Sequence, residues 1–129
     1  MPEYEQTGTI MADADTLFEY LSDIERLPEY LPVITEAEQP GPDMAAVTTD
    51  IHGTEQHAQG WVRVDGLDRR MEWGMPGSTY HGWLQVEPDD TGEGSVLTIH
   101  VVQDHPSDAD DDLLEAIENI RQLADAGEI

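Results

Sequence analysis

Cysteine is absent from this 129-residue chain, which excludes disulfides, thiolate metal sites and cysteine nucleophiles. Lysine is absent as well, so Schiff-base chemistry on a lysine amine is excluded. No stretch approaches the roughly 18 consecutive apolar residues that cross a bilayer. The acidic start of the chain, Met1–Glu5, lacks the basic and apolar regions of a secretory signal. These absences predict a cytoplasmic protein without integral membrane association.

Motifs for catalysis and cofactor binding are also missing. There is no Gly-x-Ser-x-Gly, no phosphate-binding glycine loop and no dinucleotide fingerprint. The acidic clusters Asp89-Asp90 and Asp108–Asp112 lack the twelve-residue calcium loop with its internal glycine and closing glutamate. The histidines do not follow a metal-ligand spacing; they are His52, His57, His81, His100 and His105. The sequence therefore predicts no metal and no cofactor, and it carries no recognisable catalytic motif.

The charge balance is strongly acidic, with 29 Asp and Glu against five Arg and a formal net charge of −24. Such a surface repels phosphates, because binding them requires basic residues that displace counterions. Nucleic-acid binding is therefore not expected. Two explanations of the acidity stay open: adaptation to concentrated salt, which screens self-repulsion, and a genome composition that favours Arg over Lys. The absence of lysine together with the many Asp residues favours salt adaptation.

The beginning of the chain predicts a strand followed by two short helices. Residues 3–11 alternate weakly, as a strand does, and Asp13 is a good N-cap for a helix over residues 14–23. A second short helix is predicted over Arg26–Leu31, where Pro28 fits only in the first turn. The length of the chain suits one domain, residues 1–129.

The middle of the chain has the period of two that is typical of strands. The turn Asp65-Gly66 is a strong hairpin signal, because glycine takes the positive φ that such turns require. Six successive strands with short loops predict an antiparallel meander. The predicted strands are Val33–Gln39, Ala45–His52, Gln56–Asp65, Asp68–Gly74, Thr79–Glu87 and Ser95–Asp104.

A long helix is predicted at the end of the chain. Ser107 can cap it, and Gly127 suits its C-terminal end. Its apolar stripe consists of Leu113, Ile117, Ile120 and Ala124. The predicted fold is therefore α+β, with about seven antiparallel strands whose one face is covered by helices and whose other face meets solvent.

Several segments resemble one superfamily. The stretch LSDIERLPEYLP, residues 21–32, resembles the run D-x-x-x-x-P-x-Y-x-P before the second strand of SRPBCC proteins, which include polyketide cyclase/dehydrase-like and START-like lipid-binding domains. Arg70–Trp73 and Tyr80–Val86 are similar to the middle strands of that superfamily. The resemblance covers almost the whole chain. It implies a helix-grip fold, in which the curved sheet wraps around the C-terminal helix and encloses an apolar cavity. The short loops imply that this cavity is small or partly filled.

Five residues are predicted to contact a ligand in such a cavity. Met71, Trp73 and Met75 share one strand face and make an adaptable apolar wall, although they can equally pack against the last helix. Tyr80 offers a hydroxyl anchor at a cavity mouth. If His100 points inward it is the best general acid/base candidate; the alternative is an outward, solvated imidazole.

Three functions from different classes follow. The first is intracellular binding of an apolar small molecule, such as a lipid, an isoprenoid or a polyketide-like compound. The second, by resemblance only, is an aromatase/cyclase-type enzyme acting on a polyketide-like chain. The third is a protein-interaction domain with a vestigial cavity. Inward polar groups favour the enzyme, an apolar cavity favours the binding protein, and a filled cavity favours the interaction domain.

Overall fold

The structure is a computed structural model that describes residues 3–31, 34–51, 53–75, 81–102 and 109–129. Within these ranges seven strands form one curved antiparallel sheet, in the spatial order β1-β7-β6-β5-β4-β3-β2. The strands are β1 Glu3–Ile10, β2 Ile34–Gly41, β3 Met44–Ile51, β4 Thr54–Asp65, β5 Arg70–Gly74, β6 His81–Pro88 and β7 Ser95–Val102. The helices are α1 Ala14–Leu21, a 3₁₀ turn Ile24–Arg26, α2 Leu27–Tyr30 and α3 Ala109–Asp125. The predicted α+β helix-grip fold is confirmed.

The beginnings of the two N-terminal helical segments are fixed by carboxylates; the sequence predicts the first of these, Asp13, but not the second, Asp23. Asp13 accepts a hydrogen bond from the Thr16 amide at 3.2 Å, and Asp23 accepts one from the Glu25 amide at the same distance. Each bond satisfies an amide that has no partner inside its own helix. The Tyr30 hydroxyl then donates to the Leu21 carbonyl oxygen at 2.9 Å, which ties α2 to the end of α1.

The turn between β4 and β5 differs from the prediction. The residue with positive φ is Arg69, at 52°, and Gly66 is not among the described residues with positive φ. The cause is the Asp65 side chain, which accepts hydrogen bonds from the amides of Leu67 and Asp68 at 3.0 and 3.2 Å. This bonding lengthens the turn to four residues and moves the left-handed position to its last residue.

The end of α3 agrees with the sequence. Gly127 adopts a φ of 81°, and the Glu128 amide donates back to the Leu123 carbonyl oxygen at 2.9 Å. Glycine takes this conformation without steric cost, so it ends the helix where the pattern predicts. The predicted cap Ser107 lies outside the described residues. No helix within the described ranges is both long and apolar enough to cross a membrane.

The core lies on the concave face of the sheet, towards one of its edges. Helix α3 packs mainly on β1 and β7, and α1 packs on β6 and β7. Gly8 permits this docking, because a methyl group at that position would overlap Ile117 Cγ2. The fully or nearly fully buried side chains here include Ile10, Leu17, Leu21, Val86, Leu97, Ile117 and Ile120.

The other edge of the sheet is covered differently. The 3₁₀ turn and α2 pack on β2, and α2 also contacts α3. The principal helix contacts of the described residues therefore fall on β1, β6 and β7 at one side and on β2 at the other. The concave faces of β3, β4 and β5 lie between these two groups of contacts.

Candidate functional site

A cavity of about 420 Å³ occupies the concave side of the sheet, where the helices leave it uncovered. Its walls come from β3 to β7, from the segment between Ile24 and Ile34, and from the first turns of α3 at Leu113. Sites for small molecules commonly have volumes of about 300–1,000 Å³. The cavity is therefore at the small end of that range, as the short loops imply.

Small side chains on β3 and β4 create much of the space. Ala45 stands opposite Gly60 and Val47 stands opposite Ala58 in the β3–β4 register, and all four line the cavity. Paired residues on one face of a sheet lie side by side, so these four form a continuous shallow surface. Because none of them is long enough to reach the helices, the described residues leave the volume above them unfilled.

Strand β5 and Met75, the residue that follows it, contribute one wall of the cavity. Met71, Trp73 and Met75 all line the cavity, with Met71 buried at 3% exposure and Met75 at the rim at 37% exposure. The strand alternation thus brings the three side chains together in one place. Their role as ligand contacts stays a prediction.

The position of the Trp73 indole depends on a glycine in the next strand. Gly82 pairs with Trp73 in the β5–β6 register, and a Cβ atom at Gly82 would lie 2.8 Å from Trp73 Cζ2. The ring therefore lies against the backbone of β6. Sequence reasoning did not single out Gly82; its signal is a glycine inside an alternating strand, which often marks a close approach of another group.

Tyr30 is a polar residue in the helical wall of the cavity, and its hydroxyl already has a hydrogen-bond partner within the protein. It lines the cavity, but its hydroxyl donates to the Leu21 carbonyl oxygen at 2.9 Å. Burial raises the pKa of Tyr30 above its ordinary value, so the phenol stays neutral. The Asn119 amide of α3 donates to the Tyr30 carbonyl oxygen at 3.3 Å and holds α2 against α3. Sequence reasoning did not assign Tyr30 to the site.

His100, predicted as a possible ligand contact, is not among the residues that line the cavity, so of the two orientations that the sequence leaves open the structure has the outward one. Its neighbours Ile99 and Val101 take the inward positions of β7, so the alternation turns His100 to the convex face. There its ring stacks on Trp83, with centroids 5.4 Å apart, and its side chain is 19% exposed. The Nδ1 atom lies 3.4 Å from a Glu5 carboxylate oxygen. This residue is therefore part of the outer surface of the sheet.

The described residues form no metal site at the cavity. Tyr80, the predicted hydroxyl anchor, lies outside the described residues. Among the residues that are described, no three His, Asp or Glu side chains are placed to share a metal ion. The described lining is almost entirely hydrocarbon, thioether and aromatic. What this arrangement can do is shelter an apolar molecule from water.

Comparison with known proteins gives a family and a fold. A family model described as polyketide cyclase / dehydrase and lipid transport matches residues 1–125. A START superfamily protein from Mycobacterium smegmatis superimposes with a TM-score of 0.81 at 14% identity, covering 96% of this chain and 97% of that one. The Zhui aromatase/cyclase from Streptomyces sp. R1128 superimposes with a TM-score of 0.73 at 17% identity, covering 99% and 96%. No curated protein matches the sequence.

Proposed function

Because the chain belongs to the polyketide cyclase / dehydrase and lipid transport family, we propose that it binds an apolar small molecule in the 420 Å³ cavity. The ligand would be a lipid, an isoprenoid or a polyketide-like compound. The observation that carries this proposal is the composition of the described lining, in which aliphatic, thioether and aromatic side chains predominate and the Tyr30 hydroxyl is already bonded. Water in an apolar space of this kind finds few hydrogen-bond partners, so filling the space with hydrocarbon is favourable.

The cavity wall favours adaptable binding. Met71 and Met75 have flexible, polarisable thioethers, and Trp73 between them offers a flat ring. Such side chains adjust to ligands of different outline at small cost. The 37% exposure of Met75 places this residue at the rim, where a ligand would enter.

A cyclase-type enzyme is the second candidate, and the likeness to aromatase/cyclase structures favours it. Such an enzyme needs a group that moves protons within reach of the bound chain. In the described part of the cavity, the Tyr30 phenol is held neutral and bonded, and His100 lies on the opposite face of the sheet. A binding protein needs no such group, so we rank binding first. A domain with a vestigial cavity ranks third, since 420 Å³ is left unfilled.

The proposal is tested by titrating the folded protein with Nile red, an uncharged apolar fluorophore. We expect saturable uptake, and we expect Trp73→Ala to weaken it by about 1–3 kcal/mol through lost contact area. Trp83→Ala is the matched control, because Trp83 stands on the convex face of the same sheet against His100. Circular dichroism and thermal unfolding of each variant separate loss of binding from loss of fold. Absence of uptake by the parent, or equal uptake by Trp73→Ala, would contradict the proposal.

A further inference from the structure

We propose that the cavity selects uncharged ligands and rejects carboxylates, an inference that rests on the proposed binding function. Its basis is the position of every fixed cation in the chain. The sequence has no lysine and five arginines, and all five arginines lie within the described residues. None of them lines the cavity.

Two arginines lie on the helices and are paired there. Arg26 contacts Asp23 at 3.3 Å and Glu29 at 3.4 Å on the surface of the N-terminal helical segment. Arg121 of α3 contacts Glu118 at 2.7 Å and donates to a carbonyl oxygen of β1 at 3.3 Å. Both guanidinium groups are held by carboxylates of the protein itself, so neither is positioned to reach a bound ligand.

The other three arginines belong to β4, β5 and the turn between them. Arg69 contacts Asp15 at 2.9 Å beside the turn. Arg70 lies 4.2 Å from the ring centre of Trp83, which identifies its side as the convex face. Arg63 is exposed and alternates with the inward-facing Val62. The guanidinium of Arg63 lies 5.8 Å from the ring centre of Trp61, which borders the cavity, but neither Arg63 nor Arg70 itself lines the cavity.

A ligand carboxylate in this cavity would have no guanidinium partner among the described residues that line it. Removing an ionised carboxylate from water without a partner is very unfavourable, and a buried acid responds by binding in its protonated form. The formal net charge of −24 adds repulsion between the protein and any approaching anion, although salt screens that part. The fitting class of ligand is thus an uncharged one: a hydrocarbon, an alcohol, an ester or a ketone.

The experiment is displacement of Nile red by two competitors of equal chain length, 1-decanol and decanoate, at about pH 8. It is run at about 0.1 M and about 1 M NaCl, because the higher concentration shortens the screening length to about 3 Å and suppresses surface repulsion. We expect decanol to displace the dye at a concentration at least tenfold lower than decanoate in both salts. Equal competition, or a difference that disappears at high salt, would overturn the proposal.

A charge placed in the wall gives the complementary test. Ala45 lines the cavity, whereas the next residue of β3, Ala46, does not; by alternation it points to the other face of the sheet, where it lines a second groove with Glu36 and Glu38. We expect Ala45→Lys to improve the competition of decanoate relative to decanol by at least tenfold, and Ala46→Lys to leave the ratio unchanged. If Ala45→Lys fails to fold, Met75→Lys at the exposed rim replaces it.

The outcomes separate the two proposals. If Nile red does not bind at all, the proposed function fails. If Nile red binds and decanoate competes as well as decanol, binding stands and the selection of uncharged ligands fails. If both lysine variants shift the ratio equally, the discrimination belongs to the surface charge and the inference is wrong.

Discussion

The two halves of the sheet carry the same antiparallel pairing but differ in what covers them. Strands β1, β6 and β7 hold large side chains such as Val86 and Leu97, which are fully buried under α1 and α3. Strands β3 and β4 present Ala45, Val47 and Ala58 to open space. The difference shows that one sheet can carry a tightly packed core at one side and an open apolar surface at the other, depending on side-chain size and on the place where helices dock.

The packed half of the sheet consists of β1, β6 and β7. Its strongest test is a charged residue in the middle of the contact between α3 and β1. Ile117 is 3% exposed and stands against Gly8 of β1. We expect Ile117→Asp to lower the free energy of unfolding by about 3–5 kcal/mol, because it buries an unpaired carboxylate. Thermal unfolding measures the effect. Leu114→Asp on the same helix is the control, since Leu114 is 49% exposed; equal losses in both variants would show that α3 does not dock as described.

A cavity made in the packed half is expected to cost nearly as much. Leu97→Ala removes a fully buried side chain of β7 and should lower the free energy of unfolding by about 2–5 kcal/mol. Met75→Ala, at the rim of the open half, should cost less than about 1 kcal/mol, because its side chain is already partly solvated. Urea denaturation compares the two variants, and similar losses would remove the distinction between the halves.

A larger side chain in the open half of the sheet, β3 to β5, should lower the affinity for the dye more than it lowers the free energy of unfolding. Ala58→Phe places a ring in the cavity from β4, so we expect the free energy of unfolding to change by less than about 1.5 kcal/mol while Nile red affinity falls at least tenfold. The same titration and unfolding measurements report both quantities. A large destabilisation with unchanged dye binding would mean that the space above Ala58 is not the binding site.

Salt should change the stability of the whole protein through its surface charges. It should not change the difference in stability loss between variants of the two halves of the sheet. If the −24 charge is an adaptation to salt, the free energy of unfolding should rise by on the order of 1 kcal/mol between about 0.1 and 1 M NaCl, as screening weakens self-repulsion. The difference between Leu97→Ala and Met75→Ala should stay constant over that range. A flat dependence on NaCl would favour genome composition as the cause of the acidity.

The sequence predicts the elements well because their signals are local. Asp13 marks the start of α1, Gly127 marks the end of α3, and alternation places Met71 and Trp73 on one face. Each signal depends on residues a few positions apart, which periodicity and capping chemistry describe directly.

The outline of the cavity was harder to predict because it depends on distant contacts. Nothing in the sequence around Ala45 and Ala58 distinguishes them from other strand residues; they border a cavity because the helices dock on other strands. Gly82 is important for the site because Trp73 lies against it. His100 sits between two inward residues on an apolar strand, and the register with neighbouring strands decides its side. Such information resides in the packing of the whole chain, not in any one segment.

Gly8 affects the size of the cavity although it is not one of the residues that line it. Because Gly8 has no side chain, α3 packs closely on β1. The closer the helix lies to that edge of the sheet, the less of β3 and β4 it covers. A larger residue at this position would push the helix towards the open half. The size of the open apolar space can therefore change during evolution through a single position at the far edge of the sheet, without any change among the residues that line that space.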